Sequence, residues 1–277
     1  MAPSKIILFI FLGIFAACNR QPEVRVPDLS DSIDYTCREI EYVSLDTMPK
    51  EISGYKYYNE QGQLIEQVGY ERRTKFKYDS QGKLIEKQHC RIYNCKSVQR
   101  EIFVYDENGN LMGSYFQDKN KKHQDKLSFQ PVKFYDSTGH LIKELVRKGT
   151  DMNGESYERW KHYQYKNGKI SNEIEIIDKD TLWTGVYKYD SNNNLLEIRK
   201  QKDTIYLVEV YTYSPDNLLL KKSIRSNRYP LTENTAFQVY NYTDVYEYDR
   251  NKRLIKKTTY NHKGEVYRTF YYIFDCK

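Results

Sequence analysis

The chain is predicted to be all-β, an antiparallel up-and-down meander of repeated hairpins forming a curved, rolled or barrel-like sheet. Three observations predict this fold. A Tyr-Asp-x-x-Gly-x-Leu pattern recurs along the 277 residues, and recurrence at this density marks a repeat architecture. The segments flanking each copy alternate apolar and charged residues, the period of a half-buried strand. Nothing after residue 18 carries the spacing of a substantial helix.

The pattern is clearest at Tyr78-Asp79 with Gly82 and Leu84, at Tyr105-Asp106 with Gly109 and Leu111, and at Tyr135-Asp136 with Gly139 and Leu141. Softer copies are Tyr189-Asp190 with Asn193, and Tyr248-Asp249 with Lys252; weak ones start at Tyr58, Tyr165 and Tyr260. In Thr74–Tyr78, Phe76 and Tyr78 alternate with Lys75 and Lys77, giving a strand with one apolar and one wet face. Asp79 then accepts hydrogen bonds from the amides just ahead of it, as in an Asx turn. Gly82 supplies the positive φ that reverses the chain, a task Asn193 and Asn217 can also perform. Leu84 re-enters on the apolar face. Between copies there is room for two strands and a looser turn, as at Asp178-Lys179-Asp180 and Gln201-Lys202-Asp203. The tight turns are therefore expected at one edge of the sheet and the variable loops at the other. Lys119–Lys126, Gly149–Glu158 and Ser226–Thr235 read as long loops.

Asp79, Asp106, Asp136, Asp190 and Asp249 form a ladder if the turns line one edge. Each copy offers one carboxylate where calcium takes about six to eight oxygens, so these acids are assigned to the turns and not to a metal. The stripe Phe76, Tyr78, Phe103, Tyr105, Tyr187, Tyr189, Tyr211, Tyr213, Tyr246 and Tyr248 is assigned to the buried face. A lone flat sheet would leave that face in water, which requires curvature or closure.

At the start, Lys5 precedes the apolar run Ile6–Phe15, which is too short to span a bilayer and ends in Ala16-Ala17-Cys18. This resembles a bacterial lipoprotein signal. The resemblance implies a signal peptide over 1–17, an acylated Cys18 as the first mature residue, and the bilayer as partner. Residues 18–36 then serve as a tether, and 37–277 as a single β domain. Asn19 follows the cysteine, and no acidic run occupies 19–24. By resemblance to sorting rules this favours a periplasm-facing place on the outer membrane over the cell surface.

Mean hydropathy of −0.84 together with 28 Tyr describes an aromatic sheet solvated by charge rather than a thick aliphatic core. The formal charge of +6 is spread over interleaved Lys and Glu, without the basic block that tracks a phosphate backbone, so nucleic acid is not expected as a partner. Export makes disulfides the default for Cys37, Cys90, Cys95 and Cys276. Cys90 and Cys95 flank a length that can turn one strand into the next; Cys37 and Cys276 are left to tie the ends of the domain together.

The repeat resembles the YD-repeat, or Rhs-type, family of bacterial surface and secreted proteins, over roughly Tyr55 to Asp275. In that family long arrays curl into a sheet spiral or shell, sometimes around a toxin domain. The resemblance implies the fold; this chain is read as a short array without an effector domain.

The histidines His89, His123, His140, His162 and His262 form no HExxH or HxH pair. No Gly-x-Ser-x-Gly elbow or phosphate-binding glycine spacing is present. No catalytic residue, metal site or cofactor is expected. Trp160 and Trp183, near loop ends, are the candidate ligand contacts. The expected function is a non-enzymatic outer-membrane lipoprotein, acting as a scaffold or protein-binding module toward an envelope protein partner. The alternatives are a glycan-binding lipoprotein of an uptake system and, from the family's association with toxins, an immunity-like protein.

Overall fold

The structure, a computed structural model, describes residues 26–45, 51–92, 94–117, 132–150, 154–227 and 241–277. Residues 1–25, including Cys18, lie outside the described residues, as do Lys119–Lys126. Eighteen strands form one antiparallel sheet. They are β1 (Cys37–Leu45), β2 (Glu51–Tyr58), β3 (Leu64–Gly69), β4 (Arg72–Tyr78), β5 (Leu84–Arg91) and β6 (Asn94–Tyr105). Next come β7 (Leu111–Gln117), β8 (Lys133–Tyr135), β9 (Leu141–Thr150), β10 (Ser156–Lys166), β11 (Lys169–Ile177) and β12 (Asp180–Tyr189). The last six are β13 (Leu195–Lys202), β14 (Ile205–Tyr213), β15 (Leu219–Ser226), β16 (Tyr242–Tyr248), β17 (Leu254–Tyr260) and β18 (Val266–Cys276).

Consecutive strands pair in sequence order, as a meander requires, and β1 pairs with both β2 and β18. The sheet thus closes into a barrel-like ring. Its weakest join is between β7 and β8, where the Val132 amide donates to the Met112 carbonyl at 3.0 Å. The Cys37–Cys276 disulfide bridges the first and last strands, in register with each other. Cys90 is also disulfide-bonded; the side chain of Cys95, its expected partner, lies outside the described residues.

The repeat turn is built as its residues dictate. Asp79 Oδ1 accepts from the amides of Gln81 (2.9 Å) and Lys83 (2.8 Å), and the Gly82 amide donates to the Asp79 carbonyl at 3.0 Å. The same bonds close the turns at Asp106, Asp136, Asp190 and Asp249, with Gly109 and Gly139 in the left-handed region and Asn193 and Lys252 standing in for glycine. One residue beyond each turn the ladder slips, as between Lys77 and Tyr78, where Tyr78 faces Leu84 and Lys77 faces Glu86. Ile85 is thus an extra residue, a β-bulge that adds twist. A bulge repeated around the ring supplies the curvature that closes it. The motif tyrosines then tie each hairpin to the one before: the hydroxyl of Tyr78 donates to the Leu64 carbonyl at 2.9 Å, Tyr105 to Leu84 at 2.7 Å, Tyr135 to Leu111 at 2.8 Å, Tyr165 to Leu141 at 3.0 Å and Tyr248 to Leu219 at 2.9 Å.

Three expectations are corrected. The turn at Asn261–Gly264 follows the repeat pattern but joins β17 to β18, so it lies on the rim opposite the others. Gly149–Thr150 and Ser156–Glu158 belong to β9 and β10, and Ser226 ends β15, so these stretches are less loop than their polarity suggests. The aromatic stripe is half-buried rather than core, because a ring of this many strands is too wide for its walls to meet. The small apolar core lies elsewhere, where Val26 and Tyr35 pack on Tyr55, Tyr57 and Val68. Residues from Val26 onward dock on the sheet there; Asp28 accepts from the Tyr57 hydroxyl at 3.0 Å and pairs with Arg38 at 2.5 Å.

Gly82 has φ +80°, and an L-residue in that region costs roughly 1–2 kcal/mol. Gly82→Ala is expected to lower unfolding stability by about that amount. Lys252→Gly, at the equivalent position with φ 62°, is expected to leave stability level or raise it by up to about 1 kcal/mol. Denaturant titration of both variants checks the pair.

Candidate functional site

The two faces of the ring differ. Register places Glu39, Glu173, Glu175, Glu209 and Asp244 on one face with Lys56, Lys200, Lys222 and Lys257. Most of the buried polar side chains lie there, Glu173 at 1% exposure. Side chains on the concave side of a rolled sheet converge and shield one another, so this is the inner wall. The opposite face carries Val186, Val210, Leu220 and Ile255, all exposed, and is the outer wall.

The inner wall is a belt of carboxylates, cations and phenols. Glu173 pairs with Lys200 at 2.6 Å and accepts from the Tyr187 hydroxyl at 2.5 Å. Glu209 accepts from Tyr211 at 2.6 Å and pairs with Lys222 at 2.9 Å. Asp244 pairs with Lys257 at 2.9 Å and accepts from Thr259 at 2.6 Å. Tyr163 donates to Glu144, and Arg159 pairs with Glu175. Gly185 faces Glu173 in register, and a Cβ there would stand 2.5 Å from its Cγ; the glycine makes room for the carboxylate.

Burial pushes the Glu173 and Glu209 carboxyls up, but the hydrogen bonds from lysine and tyrosine outweigh it and hold both below the usual range. The partner phenols move the other way: burial first, then the adjacent carboxylate, raises Tyr163, Tyr187 and Tyr211. Glu173 and Glu209 are thus held ionised, and Tyr163, Tyr187 and Tyr211 protonated, near neutral pH. In the repeat turns, the Thr138 hydroxyl and then the His140 amide lower Asp136 to about 2; its oxygens are occupied by the turn.

The two tryptophans are placed apart. Trp183 is on the inner wall opposite Glu175, 8% exposed. Trp160 is on the outer wall, its indole N–H donating to Glu158 at 3.0 Å, its ring 6.0 Å from Phe134 and covered by the Lys143 ammonium at 4.0 Å. They form no shared site. Sequence reading missed the acid–phenol pairs of the wall. Their signal is an acid two residues before an aromatic, as in Glu209-Val-Tyr211 and Asp244-Val-Tyr246, which puts both on one face. Among the described residues, no cluster of His, Cys, Asp and Glu is arranged to hold a metal ion.

No known family model matches the chain, and no curated protein sequence matches it. Among solved structures it is similar to a Tc holotoxin pore of Photorhabdus luminescens, at 10% sequence identity and a TM-score of 0.33, over 81% of this chain and 15% of that one.

Proposed function

We propose that the chain is a non-enzymatic lipoprotein of the outer membrane, held by acylated Cys18 on the periplasmic side, whose repeat ring serves as a scaffold or protein-binding module of the cell envelope. The observation that carries this reading is how the chemistry-bearing residues are spent. The turn acids are consumed by backbone amides, and the inner-wall acids by lysine and tyrosine. What the fold leaves to the outside is its outer wall, where bulge residues Ile85, Ile142, Leu196, Leu220 and Ile255 recur, each exposed. A regularly spaced apolar line is suited to a protein partner.

That wall also carries charge. Arg73, Arg100 and Arg199 pair there with Glu66, Glu86 and Glu197. An arginine facing lipid costs about 2–4 kcal/mol at the bilayer midplane, so the reading is of a ring bathed in water and held by its acylated end, rather than one that spans with its strands.

Two measurements test the proposal. Cys18→Ala is expected to move the protein from the membrane to the soluble periplasmic fraction. A photocrosslinker at Leu220 or Ile255 is expected to capture a discrete envelope protein that the same group at Tyr187, on the inner wall, does not. Recovery of the unprocessed chain in the cytoplasm would remove the address. Equal, diffuse labelling from both walls would remove the partner.

A further inference from the structure

In three hairpins an outer-wall ion pair lies just inside the tight turn. Lys77 faces Glu86, Lys188 faces Glu197 and Glu247 faces Lys256, at 3.0, 3.1 and 2.8 Å. In the β14–β15 hairpin the same register position brings Thr212 against Lys221. Thr212 carries no charge, so the Lys221 ammonium lacks the facing acid that its equivalent Lys256 has in Glu247. Arg225, four residues on and on the same face, stands against Val208. Neither cation makes an ion pair among the described residues, and both are exposed.

These two line a cleft of about 500 Å³ that also takes in Asn241, Tyr242, Tyr260 and His262. Among the described residues no carboxylate lines it. The amides are already committed: Asn241 Oδ1 accepts from the Ser226 amide and Asn261 Oδ1 closes the β17–β18 turn. What remains available to a ligand is positive charge and aromatic surface. A cleft lined by one sign of charge concentrates counter-ions of the other. Its volume lies within the range of small-molecule sites, about 300–1,000 Å³.

We infer that this cleft binds a small soluble polyanion carrying at least two phosphate-type groups. The spacing selects for more than one group. Residues four apart on a strand are about 13 Å apart at their Cα atoms, and strand side chains stand roughly perpendicular to the sheet, so the two charges are spread over a span that a linear polyphosphate or bis-phosphorylated molecule meets with a separate group at each. Arginine favours such oxyanions because its planar fork binds two oxygens at once. The cleft includes the β17–β18 turn, whereas Cys37 pairs with Tyr58 beside the opposite rim. A free solute and a lipid headgroup offer the same phosphate chemistry, and the vesicle arm of the test below separates them. The inference does not rest on the envelope address.

The test is calorimetry of the oxidised protein with sodium tripolyphosphate and with inorganic phosphate, alongside co-sedimentation with phosphatidylglycerol vesicles. Tripolyphosphate is expected to bind one to one and about tenfold or more tighter than phosphate. Lys221→Ala and Arg225→Ala are each expected to weaken it about tenfold or more, the scale of a lost charged hydrogen bond. Lys166→Ala removes an exposed charge on the opposite rim and is expected to leave affinity unchanged. Unaltered thermal midpoints of the three variants, all at exposed positions, show that the fold is intact. Absence of tripolyphosphate binding at millimolar concentration overturns the inference, as does an equal loss in Lys166→Ala, which would signify diffuse attraction. Vesicle binding that needs Arg225 in the absence of tripolyphosphate binding also overturns it, and assigns the cleft to a lipid headgroup.

Discussion

Raising the pH above about 10 is expected to unfold the ring in one steep step that releases several phenolates together. The tyrosines of the inner wall hold their protons more tightly folded than unfolded. Burial is the larger cause at Tyr58, Tyr163, Tyr187, Tyr211, Tyr246 and Tyr272, and neighbouring carboxylates add to it. A raised folded pKa contributes stability that is fully present below the unfolded value of 10.0 and is lost as pH rises through the folded one. Within that window each such group removes up to about 1.4 kcal/mol per pH unit. These side chains are only half-buried, and solvent screening lowers the figure. Even so, several acting together consume a total stability of about 5–15 kcal/mol within roughly one or two pH units. Phenolate absorbance and far-ultraviolet circular dichroism, followed against pH, should therefore change at the same midpoint. Tyr187→Phe should make the transition shallower. A gradual phenolate titration centred near 10 with the sheet signal intact would show that the wall tyrosines are wet, and would sink the account of the belt given above.

The acid limb has the opposite sign. Glu173 and Glu209 are lowered by their lysine and tyrosine partners, so what they contribute is present above the ordinary carboxylate range, near 4.5, and fades as pH falls below it. The ring is thus most stable across the broad interval in which its acids are charged and its phenols are not. One belt of residues sets both limits.

The turn was legible because it is encoded locally, and the closure because the cysteines that make it stand at the two ends of the domain. Asp79 and Gly82 need nothing beyond their own hairpin to specify an Asx turn and a positive φ, and Cys37 and Cys276 sit at the two ends of the domain that close on each other. The wall was not legible, and the bulge is the physical reason. A strict period of two through Leu84-Ile85-Glu86-Lys87 puts Glu86 on the face of Leu84. The extra residue shifts the phase, so that Glu86 faces Lys77 outside while Lys87 faces Phe76 inside. The same slip recurs after the turns at Asp190 and Asp249. Alternation read from the sequence therefore keeps the correct period and loses the correct face at each hairpin. That phase error hides which acids meet which phenols. It also hides the register that pairs Lys188 with Glu197 and leaves Lys221 facing Thr212.

Replacing both seam cysteines, Cys37→Ala with Cys276→Ala, is expected to cost about 5 kcal/mol. The bridge spans 239 residues, and in the chain-entropy account the effect grows with the logarithm of the loop closed, reaching about 5 kcal/mol at this length. The short bridge expected between Cys90 and Cys95 closes only a few residues, and by the same relation its removal costs about 2 kcal/mol. Comparing the two double variants by denaturant unfolding separates loop entropy from any general effect of losing a disulfide. The seam is not held by sulfur alone. β1 and β18 stay paired along β1, and Arg38 bridges Asp28 and Asp275 at 2.5 and 2.7 Å. A loss below about 1 kcal/mol would mean that this ladder suffices and the bridge is dispensable. A loss near 5 kcal/mol carries a further consequence. Without closure, β1 and β18 become free edges, and free edges pair with other chains, so the seam variant should also associate at concentrations where the Cys90→Ala, Cys95→Ala variant remains monodisperse.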